Sequence, residues 1–214
     1  MKTLRFDGWI CGFGTPSGHR FVTGVWARSP FGTFADIMWE QPDGTRVLLA
    51  PTEQTRDFVA ATYRFDQTVV TPVYFNQVGE TWTVRADPIS LSITPGRRDV
   101  IGGLLSLVPG PLRKARAWAA LADYPASRIL PGVRTRGIAP GGNRQWYCAQ
   151  DHRPLSRGRA WLHADSLGAA QPIDPPVTFG FSSAPSAPAW VRVVTYVEAT
   201  PRTPTRGLEG IARG

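Results

Sequence analysis

Alternation is the feature of this chain that most limits its fold. Ile89, Leu91 and Ile93 are separated by Ser90, Ser92 and Thr94, and a two-residue period is that of a strand with one buried and one wet face. Trp82 and Val84 alternate in the same way with Thr81, Thr83 and Arg85. Further strand-like stretches occupy residues 4–13, 20–28, 33–40, 45–50, 69–78, 144–151, 177–183 and 190–198, giving about ten candidates. Pro42-Asp43-Gly44 lies between two of them as a hairpin turn, and Gly79-Glu80 offers another. Pro72 places the 69–78 stretch at an edge or a bulge, because proline cannot donate to a ladder.

Many antiparallel strands with short turns must close or stack to bury their apolar faces. The expected fold is therefore mainly β, an antiparallel barrel or a two-layer curled sheet. Stretches 20–28 and 33–40 carry bulky side chains at both odd and even positions, as a sheet covered on both sides requires. Two helical regions interrupt the strands. A short helix is expected near 52–62, with a threonine cap and Phe58, Val59 and Ala61 as its apolar side. A longer helical insertion is expected near 99–122. Asp99 caps residues 100–108, Pro109-Gly110-Pro111 breaks the chain, and a second helix runs through Ala122 with Leu112, Ala115 and Trp118 on one side. This insertion should cover one face or one mouth of the sheet.

The chain has 214 residues, which suits one domain. Residues 1–198 are expected to form it. Residues 199–214, rich in Pro, Thr, Gly and Arg and without periodicity, read as a C-terminal tail. No apolar run follows the basic start and none approaches the length of a membrane span. Cys11 and Cys148 form no paired motif and sit in strand-like stretches, where a free cysteine packs as a small hydrophobe. These features together give the expectation of a cytoplasmic protein.

Charge is unevenly placed. Residues 1–100 carry ten basic and ten acidic side chains, whereas 113–159 carry ten basic ones against Asp123 and Asp151. A concentrated positive field favours an anionic partner. Arginine outnumbers lysine 22 to 2 throughout, so the choice of arginine is not itself a sign of bidentate recognition. The segment also lacks a recognition helix or an RNA motif, which weighs against nucleic acid. Nucleic-acid or anionic-surface binding through 113–159 stays as an alternative.

No Gly-x-Ser-x-Gly, P-loop, dinucleotide fingerprint or His-Glu-x-x-His occurs, so no cofactor is implied. His19, His152 and His163 lack metal-ligand spacing, so no metal site is implied either. One constellation stands out. Arg134, Arg136, Arg144, Trp146, Tyr147, His152 and Arg153 interleave basic and aromatic groups, a composition suited to a small acidic or amphipathic ligand. The plainer alternative is a strand with exposed arginines.

Asp36 shares a face with Phe34 and Met38. A carboxyl in such an apolar setting must be paired or have a raised pKa. Arg20 and Arg28 are the candidate partners; without them Asp36 becomes a candidate acid or base, as does His152. Lys114, the only internal lysine, has Arg113 and Arg116 to depress its pKa for imine chemistry, but its place on a basic helix face favours ordinary solvation. The function expected is non-catalytic binding of a small hydrophobic or amphipathic acidic ligand in a β-barrel cavity. A cofactor-independent enzyme in the same cavity is the alternative.

Overall fold

The computed structural model describes residues 2–119, 134–180, 184–201, 203 and 204. Twelve strands are described: β1 (Lys2–Gly14), β2 (Arg20–Arg28), β3 (Phe34–Glu40), β4 (Arg46–Ala50), β5 (Gln67–Val70), β6 (Tyr74–Val78), β7 (Thr81–Ala86), β8 (Ile89–Pro95), β9 (Arg136–Ile138), β10 (Arg144–Leu162), β11 (Asp165–Ala169) and β12 (Ala189–Ala199). Helix α1 spans Glu53–Ala60, α2 Val100–Leu107 and α3 Gly110–Arg113.

All twelve strands join one mixed sheet with the order β5-β4-β3-β2-β1-β12-β10-β8-β7-β6, and β9 and β11 also pair with β10. The sheet curls without closing. Its two ends, β5 and β6, are consecutive in the chain and joined only by residues 71–73. Residues 70 and 74 can therefore be no more than about 14 Å apart at ~3.5 Å per residue. Pro72, within that link, has no N–H to donate, and the 69–78 stretch expected as one strand is two. The pair β4–β5 is parallel because α1 crosses between them.

Strand β10, 19 residues long, belongs to two layers. Its first half pairs with β12 and its second with β8, and the sheet folds over at that strand. The layer β6–β7–β8 then packs on one face of β1–β4. Phe13, Phe21, Val25, Ile37 and Leu49 meet Val84, Leu91 and Ile93 there, all of them buried. The other face of β1–β4 is covered by α1, with Phe58 and Val59 against Phe6, Phe34 and Leu48. Helix α1 starts as expected: Thr52 accepts from Thr55 N, and Thr55 returns the bond in a capping box.

Helix α2 is capped by Asp99, whose Oδ1 accepts from Gly102 N at 2.9 Å. Gly102 lets α2 rest directly on β10, because a Cβ there would lie 2.3 Å from the His152 carbonyl oxygen. The second helix of the insertion is shorter than expected. It ends at Arg113, helix resumes at 116–119, and residues 120–122 lie outside the described set. Residues 177–180, expected as a strand, are not one. Its backbone groups bond elsewhere than to a neighbouring strand: Thr178 N donates to Glu40 Oε2 at 3.0 Å, and Phe179 O accepts from Arg64 N at 2.8 Å. A buried ion pair holds it instead. Arg20 Nη2 lies 3.1 Å from Glu40 Oε1, Arg20 donates to Pro175 O, and Glu40 accepts from Thr178 N. Residues 181–183 lie outside the described set.

The start of the expected tail is tied to the body. Asn143, fully buried, accepts from Thr200 N and Thr203 Oγ1 and donates to Thr62 Oγ1. Residues 205–214 are outside the described set. Among the described residues no helix is long and apolar enough to cross a membrane.

Candidate functional site

Register decides what faces inward on the helix-covered side. On β12, Val191, Val193, Thr195 and Val197 share one face, opposite His152, Ala149, Tyr147 and Gln145 of β10. All eight line one cavity of about 290 Å³. The numbering changes parity between Ala149 and Asp151, where β10 carries a bulge. A bulge inserts one residue and re-aims those beyond it. Without it Asp151 would face the cavity; with it, His152 does.

The wall continues on β2 and β3 of the same sheet. Val22, Gly24 and Trp26 pair in register with Met38, Asp36 and Phe34. Ile101 and Leu105 of α2 and Phe58 and Val59 of α1 complete an apolar enclosure. At a liquid share of about 30 Å³ per water, the space equals roughly ten waters.

Few polar groups interrupt this wall, and each has a definite position. Asp36 is buried and accepts one side-chain hydrogen bond, from Trp26 Nε1 at 3.1 Å. Gly24 makes that possible: a Cβ there would come within 2.5 Å of Trp26 Nε1 and 2.8 Å of Asp36 Oδ1. Among the described residues no cation pairs with Asp36. Arg20 is taken by Glu40 and Arg28 is exposed, so the ion pair forms four residues, two repeats of the pleat, along from Asp36. Burial pushes the Asp36 carboxyl up to about 7, and the Trp26 bond offsets part of that.

Across the space, Tyr63, Tyr147 and Gln145 form a hydrogen-bonded cluster. The two phenol oxygens bond each other, and Gln145 Oε1 accepts from Tyr147 at 2.7 Å and Tyr63 at 3.1 Å. Burial raises the pKa of both phenols. The charge of Asp36 contributes to the rise at Tyr63, so the two groups lie within coulombic reach.

His152 is buried with its Nδ1 2.9 Å from Asp99 Oδ2. Among the described residues neither imidazole nitrogen makes an aligned hydrogen bond, and Thr195 Oγ1 has none. A buried polar atom without a partner marks a place where a ligand or water can supply one.

The residues singled out from sequence divide by face. Arg134, Tyr147, His152 and Asp36 line the cavity. Trp146 points the other way, with Cys148 and Val194, under Arg116 at 5.0 Å from its ring. Arg136 and Arg144 are exposed, and Arg153 pairs with Asp151 at 3.0 Å. Along β10, Arg144 and Arg159 are separated by roughly 50 Å of strand contour at ~3.3 Å per residue. Lys114 is exposed and does not line the cavity. Cys11 and Cys148 are buried and free, and burial raises both thiols, Cys148 to about 11.

Sequence reasoning missed Tyr63, Gln145 and Thr195. Gln145 was legible as the residue two before Tyr147, and Thr195 as the one hydroxyl in the face Val191, Val193, Val197. Tyr63, just past α1, carries no such signal.

No family model and no curated protein matches the sequence. Two solved structures superpose on most of it. One is a crystal structure of acetoacetate decarboxylase from Legionella pneumophila subsp. pneumophila str. Philadelphia 1, at 9% identity and a TM-score of 0.42, covering 92% of this chain and 84% of that one. The other comes from structural studies of acetoacetate decarboxylase, at 7% identity and a TM-score of 0.49, covering 92% and 87%. At that distance the chemistry of this chain rests on its own residues.

Proposed function

We propose that this protein binds a small, mainly apolar molecule that carries one uncharged oxygen group, enclosed in the cavity with that group against Tyr147, Gln145 and Asp36. One observation carries the reading: an apolar space of about 290 Å³ whose few polar side chains come from separate elements and converge. Ligand sites have this composition, with apolar walls for affinity and a few placed polar atoms for orientation. An anionic group beside Asp36 would be buried without a cation, which is costly. A phenol or ketone oxygen avoids that cost.

A second reading comes from Arg134, the one cationic arginine among the described wall residues. An amphipathic acid would set its carboxylate there and its chain in the cavity. Native mass spectrometry of the freshly purified protein, followed by solvent extraction, tests the common claim. The expected result is a discrete added mass that is absent in Ala149→Leu, where the wall fills the space. Calorimetry with 2-tetralone and 2-naphthoate then separates the readings. Tighter binding of tetralone supports the first; tighter naphthoate binding, lost in Arg134→Ala, supports the second. A clean protein mass and no saturable binding of either compound would sink both.

A further inference from the structure

Asp36 is the only acid in the described cavity wall, and among the described residues it has neither a cation nor more than one side-chain hydrogen bond. A structural carboxylate at such a site is normally held by several donors or an ion pair. Its carboxyl instead faces open space cleared by Gly24, with Trp26 steadying one oxygen. Within its coulombic reach, the hydroxyls of Tyr63 and Tyr147 form a hydrogen-bonded cluster with Gln145 Oε1 on the same cavity wall. A ligand oxygen at this cluster can accept a hydrogen bond from a tyrosine hydroxyl, and Gln145 Oε1 can keep the other.

Resting on the binding proposed above, we propose that the cavity catalyses proton transfer at the carbon next to a carbonyl, with Asp36 as the base and the Tyr63–Tyr147 pair as the hydrogen-bond donor to the carbonyl oxygen. The Asp36 carboxylate takes the α proton. The C–H electron pair becomes the carbon–carbon double bond of an enolate, and the carbonyl π pair moves onto oxygen, beside the tyrosine hydroxyl. Return of the proton to the same carbon regenerates the ketone. Return to the γ carbon of a β,γ-unsaturated ketone moves the double bond into conjugation. Electrons stay within the substrate, the proton returns to it, and no co-reactant is consumed. The substrate class is an apolar ketone small enough for the cavity. The base suits neutral pH, because a carboxyl pushed up to about 7 is both substantially ionised and more basic than an exposed one. The other ionisable groups sharing the space are Tyr63, Tyr147, His152 and Arg134.

The test is deuterium uptake into 2-tetralone in D2O, followed by proton NMR, with binding measured separately by calorimetry. We expect exchange at least about a hundredfold above buffer, the lower range for a positioned base. The rate should rise with pH and level off above about 7. Asp36→Asn should bind tetralone and exchange it at the buffer rate. Tyr147→Phe should lower the rate by about a hundredfold, as loss of one oxyanion donor does. Should Asp36→Asn fail to fold, the wild-type pH profile and Tyr147→Phe decide. Saturable binding with exchange at the buffer rate would overturn this inference alone. So would exchange that survives Asp36→Asn but is lost in His152→Gln. Absence of binding removes the binding reading and this inference together.

Discussion

On β2 and β3 the odd-numbered side chains Phe21, Val25, Ala35 and Ile37 are fully enclosed against the β7–β8 layer, whereas Val22, Trp26, Asp36 and Met38 look into a space of about 290 Å³. Both faces are covered, and both are mostly apolar. The difference lies in the cover. A second sheet layer presents a continuous pleated surface, and its side chains interdigitate with those below to crystal-like density. Helices α1 and α2 are separate rods resting on the sheet, and among the described residues side chains of both line a space that they do not fill. Polar groups sort accordingly. On the packed face Thr23 is satisfied, donating to the Asp36 carbonyl oxygen at 2.7 Å. On the hollow face, among the described residues, Thr195 Oγ1 and the His152 ring make no hydrogen bond and Asp36 has no cation.

The largest effect should come from truncating the packed face. Phe21→Ala should cost about 3–5 kcal/mol in denaturant melts, the usual range for a buried aromatic. Met38→Ala on the hollow face should cost less than half as much, because Met38 already lacks neighbours on one side. Equal losses would mean that the space closes in solution.

The next effect is electrostatic and belongs to the hollow face. The folded-state pKa of Asp36, about 7, lies above the unfolded value of 3.8. The native state therefore binds the proton more tightly. Its contribution is fully present below the unfolded pKa and is lost as pH rises through about 7. Between pH 4 and 7 the wild type should lose up to a few kcal/mol relative to Asp36→Asn, at about 1.4 kcal/mol per pH unit. Parallel stability curves for the two proteins would show that Asp36 is solvated or paired.

The smallest effect is the sharpest discriminator. Ala35→Leu on the packed face should cost about 1–3 kcal/mol through overpacking. Ala149→Leu on the hollow face should leave the melting temperature unchanged or raised, while abolishing ligand uptake. A loss of stability at both positions would place the two faces in the same class.

Much of this architecture is legible in the chain. The period of two in 89–94 places Ile89, Leu91 and Ile93 in the core, as found. Bulky residues on both faces of 20–28 and 33–40 point to covers on both sides, and the Thr52 and Asp99 caps start α1 and α2. The single stretch at 69–78, the strand over 177–180 and the unbroken helix across 114–115 differ from expectation for one reason. Local pattern reports what a segment can do, while the partners its backbone groups find in the folded chain decide whether it does. The basic–aromatic constellation shows the same limit. Trp146 and Tyr147 are neighbours in sequence, and a strand sends them to opposite faces.

The sequence by itself determined that the chain is mainly β, where helices start, and that Asp36 shares a face with apolar neighbours, because these follow from local periodicity and capping chemistry. Only the tertiary structure decided that Glu40 rather than Asp36 takes Arg20, and that a bulge after Ala149 turns His152 inward. It alone set Tyr63 beside Tyr147 and left one face hollow. Those outcomes depend on register between strands far apart in the chain and on how rods and sheets fill space. Neither quantity is encoded in any single segment.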